Sequence, residues 1–427
     1  MGYKEEPPVH DLNAPTPQAR LAALQALAGE EFPPVIACQV NNHIHTTYSF
    51  SPYSPTRAVW EAKRNGLATA GIMDHDSMAG AEEFLAAGAI LAMPVTCGIE
   101  CRVSFRNTPF GTRRLNNPDQ DGVVYLSLHG VPRRSFGAVQ AFFAPHREAR
   151  NRRNRRMVQN CNELLGPHGV TIDFDLDVLP LSQWGEGGAV TERHLALALA
   201  NRILDVCGDG QPLLDFLRGP MGIALSPKSE GQLLDGANPH RAYDILGLIK
   251  GHYVPRFYVP AGEECPDVRD LLVLGRQTGA IVTYPYLGDV GDSVTGDKRT
   301  QRFEDDILEE LLVYLKELGV QAVTYMPTRN TPAQLARLRG LCRQLGFFQV
   351  SGEDINSPRQ SFLCQALYEP AFANLIDAAW ALIGHERASD DDPEGGMFSE
   401  RTIARLPDME ERVRAFSREG RRRYGQE

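Results

Sequence analysis

Val35-Ile36-Ala37-Cys38-Gln39-Val40-Asn41-Asn42-His43-Ile44-His45 is the stretch from which the rest of this chain is read. Its apolar part, Val35–Val40, has the length and composition of a buried strand. His43 and His45 follow at i and i+2, so on an extended backbone both imidazoles point to one side and can reach one cation. A His-X-His pair alone is weak evidence, because it occurs in many proteins and most lone histidines are structural. Its meaning rests on whether acidic and imidazole groups recur at equivalent places along the chain.

From residue 35 the pattern is strand followed by helix. Ser54-Pro55 opens a helix that ends at Asn65-Gly66. Further strands are expected over Leu67–Met73, Met93–Ile99, Val123–Leu128, Ala280–Tyr284, Val320–Tyr325 and Phe347–Ser351. Helices are expected over Ala79–Ala89, Val268–Thr278, Phe303–Leu318 and Pro332–Leu345. Seven strands alternating with helices suggest a barrel of parallel strands. The alternation breaks in the middle, where Phe136–Leu165, Thr191–Val206 and Ala242–Ile249 read as helices. The expected organisation is an N-terminal extension (1–34), a first barrel segment (35–130), a helical insertion (131–260), a second barrel segment (261–362) and a C-terminal helical extension with a polar tail (363–427). Thr16 with Pro17 should start a helix in the N-terminal extension, and Ser389–Gly396 reads as a mobile loop in the C-terminal one.

The strand ends can now be compared. The first leads to His43 and His45, the second to Asp74-His75-Asp76, the third to Glu100, the fourth to His129 and the last to Glu353-Asp354. In a parallel barrel the C-terminal strand ends converge on one face, where active sites sit. Groups scattered over 300 residues would then meet in one pocket, which is what a metal site needs.

Composition excludes several classes. The chain has 427 residues, 42% hydrophobic and 23% charged, which suits a globular protein with a sizeable core. No apolar run reaches membrane-span length, and the N-terminus lacks the apolar stretch of a signal peptide, so a cytoplasmic protein without a membrane partner is expected. The eight cysteines contain no Cys-X-X-Cys pair and read as reduced thiols. A net charge of -10 argues against extended nucleic acid as partner but allows a small anionic substrate held by local arginines. Arg147–Arg156 holds six arginines in ten positions and reads as a solvated helix face.

With these motifs in order, the sequence resembles the polymerase and histidinol phosphatase (PHP) family of metal-dependent phosphoesterases. The matching segments are HIHTTYS at 43–49, GIMDHDSMAG at 71–80, GIEC at 98–101, SLHG at 127–130, RRNRRM at 152–157, ERHLALAL at 192–199, YDIL at 243–246 and SGEDINSP at 351–358. The resemblance implies a distorted (βα)7 barrel with a helical insertion of the kind found in the branch acting on nucleotides and other small phosphate esters. It implies metal ligation by His43, His45, His75, Glu100, His129 and Asp354, with Glu100 bridging two sites. Three further family ligands are replaced: Phe50 (or Ser51) stands in the first loop, Tyr284 after the fifth strand and Asn356 near the end. Phenylalanine cannot ligate, and tyrosine and the asparagine amide are weak ligands, so one or two ions of Mn, Zn or Fe, with Mg as a further candidate, are expected in place of three. Asp74, Asp76, Asp289 and Glu353 lie near strand ends as candidate compensating ligands, or as ordinary loop carboxylates. Glu100, with His194 and Arg193 from the insertion, is the expected catalytic set for hydrolysis of a small phosphate monoester or cyclic diester. The alternative is a catalytically degenerate relative that binds a metal or phosphorylated ligand as a sensor or interaction module.

Overall fold

Strand β1 (Ile36–Ile44) continues beyond its apolar run and carries His43 inside it. The computed structural model describes residues 9–289 and 302–425. The other strands are β2 (Leu67–His75), β3 (Val95–Ser104), β4 (Val123–His129), β5 (Ile281–Pro285), β6 (Ala322–Tyr325) and β7 (Phe348–Ser351). They form one sheet in sequence order, with β1-β2-β3 and β5-β6-β7 parallel. The sheet curls until β1 meets the chain beyond β7: His45 N–H donates to Ile355 O at 2.9 Å, and Ile355 N–H to His43 O at 3.1 Å. Asn42 Nδ2 adds a bond to Ser351 O at 2.8 Å. Gly352 permits this closure, because a Cβ there would lie 2.6 Å from His43 Cβ.

Strand β4 corrects the all-parallel expectation. It runs antiparallel to both β3 and β5, so the sheet is mixed. The physical reason is the link from β3: residues 105–122 contain no helix, and a parallel return requires a crossover of the helical kind. The Pro- and Asn-rich stretch 106–120, without helical period, is the sequence signal for this reversal.

Helices α1 (Pro17–Leu27), α2 (Pro55–Arg64) and α3 (Ala81–Ile90) precede the insertion. Thr16 caps α1 through Ala19 N–H at 3.2 Å, as its position suggests. The insertion contains α4 (Phe136–Leu165), α5 (Glu192–Cys207), α6 (Gln211–Arg218), α7 (Pro227–Leu234), α8 (Arg241–Leu248) and α9 (Val254–Phe257). It has its own apolar core around Met157, Leu195, Leu199, Leu213 and Tyr253. Then come α10 (Val268–Thr278), α11 (Leu308–Leu318), α12 (Pro332–Leu345), α13 (Ala373–Asp391), α14 (Glu400–Arg405) and α15 (Met409–Arg422).

Two expectations change here. Ser389 is buried within α13, so the acidic stretch Ser389–Asp391 is the end of a helix and not a loop. The C-terminal helices also belong to the barrel: Ala378, Ala381 and Leu382 of α13 pack with Ile281, Ala322 and Phe348 of the sheet. Glu386 accepts from Cys97 N–H at 2.7 Å and from the Thr96 hydroxyl, fastening α13 to the N-terminal end of β3. That end of the barrel is thereby plugged, leaving the opposite mouth for a site. All eight cysteines are free.

Candidate metal centre

Residues directly opposite in a ladder share a face. His75 pairs with Glu100, Glu100 with Ser127, and Ser127 with Thr283, so these four line one face of the sheet. His43 and His45 reach it from β1. Their Nε2 atoms lie 3.2 Å apart. Glu100 Oε2 is 3.8 Å from His43 Nε2, 4.0 Å from His45 Nε2 and 3.4 Å from His75 Nδ1. Asp354 Oδ1 is 3.2 Å from His45 Nε2. The His45 ring is stacked on His75 at 4.7 Å between centroids and meets His43 edge-on at 5.0 Å.

These separations suit a cation. Tetrahedral ligands at about 2.1 Å from a metal are spaced by about 3.4 Å, close to the spread seen here. The ligand atoms of His43, His45 and Glu100 all lie within 4.8 Å of one another. The donor set is N and O, of borderline hardness, and fits Zn, Mn or Fe. Burial, and then the charge of His45, lowers the His43 pKa to about 4. Burial likewise holds His75 well below its usual value. Both rings are therefore neutral lone-pair donors near pH 7. Burial would also lower His45, but the Asp354, Glu100 and Asp74 carboxylates outweigh it and raise its pKa. Burial pushes Asp354 up, yet the hydrogen bond and charge of His45, with His43 and Arg193, leave it well below the carboxylate range.

His129 reaches the same interior by another route. Because β4 is antiparallel, it stands deeper than the mouth, opposite Gly98 and two residues below Glu100 on β3. It is buried, its Nε2 has no hydrogen-bond partner among the described residues, and burial with the His43 charge lowers its pKa to about 3. An orphaned buried imidazole nitrogen beside this cluster is consistent with a further ligand position.

The three replaced ligands have other occupations. Tyr284 lies on the opposite face of β5 from Thr283, within the core under the outer helices, and its hydroxyl bonds Glu304. Phe50 (φ 132°) is buried in the insertion core, edge-on to His194 at 5.0 Å and 6.0 Å from Tyr243. Asn356 Nδ2 donates to Asp354 Oδ1 at 2.6 Å and so is engaged with a neighbouring candidate ligand. Ser51 is buried, and its hydroxyl accepts from Tyr53 N–H at 3.3 Å.

The candidate compensating carboxylates are engaged elsewhere. Asp74 accepts Thr46 N–H at 2.7 Å, the Thr46 hydroxyl at 2.6 Å and the Ser49 hydroxyl at 2.6 Å. Asp76 (φ 51°) is paired with Arg150 at 2.6 Å. It does not cap the next helix, whose N-cap is Gly80. Glu353 bonds the Thr328 hydroxyl at 2.6 Å. Asp289 accepts Phe303 N–H at 2.6 Å, beside Asp305.

The arginine run is not a solvated face. Arg147, Arg150 and Arg153, spaced by three, form one buried stripe of α4, whereas Arg152, Arg155 and Arg156 are exposed. With Arg102 they meet Asp76, Glu192 and Glu264 in a buried network: Arg102–Glu192 at 2.8 Å, Arg102–Glu264 at 3.2 Å and Arg153–Glu264 at 2.6 Å. This network joins the insertion to the barrel mouth, and Arg150 and Arg102 help depress His75. The i, i+3, i+6 spacing is a readable signal for it.

His194 sits at the start of α5. Its Nδ1 accepts Thr191 N–H at 3.0 Å, and burial lowers its pKa to about 3, so it is neutral with its proton on Nε2. Arg193 is half-buried and close enough for its charge to act on Asp354 and Tyr243.

Part of the chain also matches a known family model. Residues 41–203 match the PHP domain. That segment carries five of the six expected ligands, His43, His45, His75, Glu100 and His129, with Asp354 beyond it. The fold is similar to that of a Bifidobacterium adolescentis protein assigned as a metal-dependent phosphoesterase, at 19% identity over 81% of this chain and 98% of that one, with a TM-score of 0.51. An amidohydrolase from Chromobacterium violaceum, whose structure holds sulfate and no metal, aligns at 18% identity over 75% and 88% of the two chains, with a TM-score of 0.48. No curated protein matches the sequence. Among the described residues no helix is long and apolar enough to cross a membrane.

Proposed function

We propose that this protein is a metal-dependent hydrolase and that its substrate is a small phosphate monoester or cyclic diester. The observation that carries the proposal is the convergence of His43, His45 and Glu100 at ligand spacing, with Asp354 3.2 Å from His45. A divalent cation bound there supplies water activation near neutral pH and polarisation of the bond under attack. Glu100 is placed between His43, His45 and His75, where it can join adjacent ligand positions. His194, neutral and with Nδ1 already accepting, offers one N–H donor; that suits holding a phosphate oxygen better than protonating a leaving group. Arg193 adds positive charge on the Asp354 side, which suits an anionic substrate.

The finer reading, phosphate over another hydrolysable group, draws on the PHP match and on the name of the Bifidobacterium neighbour. A second reading, a metal-holding protein that binds a phosphorylated ligand without turnover, is favoured by one observation. Phe50, Tyr284 and Asn356 are each committed to packing or to other hydrogen bonds, so no third ion is expected to be held as the family holds it.

The test is elemental analysis of the purified protein for Mn, Zn, Fe and Mg, followed by a phosphate-release screen over small monoesters and cyclic diesters with added Mn. The hydrolase reading expects bound metal and turnover that Glu100→Gln abolishes. Metal without turnover but with tight phosphate-ester binding favours the second reading. Protein that takes up no metal and melts at the same temperature with or without chelator refutes both.

A further inference from the structure

Asp74 and Ser49 form a bonded chain ending on a candidate ligand, and neither is in the ligand set. Ser49 Oγ donates to Asp74 Oδ1 at 2.6 Å and lies 3.2 Å from His45 Nδ1. Asp74 is wholly buried and receives three donors in all, the others being Thr46 N–H and the Thr46 hydroxyl. A carboxylate is the acceptor-only form that takes all three. A serine has one hydroxyl proton, and here it is committed to Asp74. What Ser49 offers His45 is therefore a lone pair, and the ring must meet it with Nδ1–H. With Nδ1–H held in this way, the proton His45 can still give up is the one on Nε2, which is shared with Asp354; exchanging it for a cation bares Nε2, the atom that faces His43 Nε2, Glu100 and Asp354.

We propose that Asp74, acting through Ser49, is a positioning residue that fixes the tautomer and orientation of His45 for metal binding. The relay is local: Thr46 and Ser49 lie in the turn that follows His45, and Asp74 is the penultimate residue of β2, the neighbouring strand. It also explains why Asp74 points away from the cluster although its neighbour His75 points into it: successive strand residues face opposite sides. Outer hydrogen-bond partners of this kind raise the basicity of a ligating imidazole and hold its ring direction, and their loss weakens metal binding by about 10- to 100-fold.

This inference rests on the metal-binding reading of the previous subsection, and the experiment separates the two. Zinc affinity is measured by chelator competition for the full-length chain and for Ser49→Ala, with Thr47→Ala as control. The Thr47 hydroxyl is in the same turn and has no partner among the described residues. The expected result is zinc binding by the parent, a loss of about 10- to 100-fold in Ser49→Ala, and parent-like affinity in Thr47→Ala. Cobalt-substituted Ser49→Ala should also show an altered visible spectrum, a readout of ligand geometry that general destabilisation would not produce. If Ser49→Ala does not fold, Ser49→Cys takes its place: the thiol fills similar space on the Nδ1 side of His45 but is a weak donor and acceptor, so it loosens both bonds of the relay. Parent-like affinity and spectrum in the variant that folds overturn the relay. A parent chain that binds none of zinc, manganese, iron and magnesium overturns the metal reading itself.

Discussion

Replacing Arg150 by Met should show how much of this molecule depends on the buried charge network at the barrel mouth. Arg150 Nη1 is 2.6 Å from Asp76 Oδ2, with side chains only 3% and 2% exposed. Two unit charges at that distance attract by about 6 kcal/mol at an effective dielectric of about 20. Part of this is offset by the like charge of Arg102, which opposes Arg150 in the same network. Arg147 cannot replace the lost partner, since it donates to the Asp76 backbone carbonyl and not to the carboxylate. Leaving a buried carboxylate unpaired costs about 3–5 kcal/mol, a large share of the roughly 5–15 kcal/mol that stabilises a typical protein. The loss should also depend on pH. Burial already raises the Asp76 pKa, with Arg150 the first of the charges that pull it down. Without Arg150 the folded state favours the protonated acid more strongly, so folding takes up a proton and the penalty grows as pH rises. Urea denaturation at pH 5 and pH 8 measures both effects. The loss should be smaller at pH 5, and adding Asp76→Asn should recover most of it. A loss below about 1 kcal/mol at pH 8, or an equal loss at both pH values, refutes the reasoning.

Substitutions at two other positions read single features of the fold. Burial raises the Glu304 pKa from its ordinary 4.5 to about 7, although Tyr284 and the Leu287 and Gly288 amides hold the carboxylate. The folded state therefore keeps a proton that the unfolded chain releases, and stability falls by about 3 kcal/mol as pH rises between those values. Glu304→Gln should flatten that part of the stability profile, and an unchanged slope in urea titrations would count against it. Phe50 combines φ 132° with a buried ring, so Phe50→Ala loses the packing and keeps the backbone strain, whereas Phe50→Gly relieves it. The glycine variant should be the more stable of the two by about 1 kcal/mol, the reverse of their usual order in regular structure; an alanine variant of equal or greater stability would show that the loop relaxes.

Much of the candidate site was legible because strand periodicity is local. His43 and His45 two apart, or His75 at the end of an apolar run, have their side-chain direction set by the backbone alone. Asp74 shows where that reading stopped. In sequence it stands beside His75 as another strand-end carboxylate, but its three donors come from Thr46 and Ser49, nearly thirty residues earlier. A solvated face is wrong for Arg150 for a similar reason: its partners Asp76 and Glu264 lie on other segments, and only their approach makes burial of a guanidinium tolerable. Even so, the three-residue spacing of Arg147, Arg150 and Arg153 carried the information that they share a face.

The sequence by itself determined the alternation of strands and helices, the place of the interruption and the identity of the groups able to hold a cation, since periodicity and side-chain chemistry need no neighbours. Only the tertiary structure decided which of those groups meet. It reversed β4 and so set His129 deep in the barrel, turned Tyr284 toward the outer core, and drew Asp354 to 3.2 Å from His45 across the seam between β1 and β7. The last of these depends on contact between segments hundreds of residues apart, where chain closure and packing, and not local preference, choose the arrangement. The eleven residues that begin at Val35 announce a strand and two candidate ligands; the closed sheet makes them neighbours of the rest.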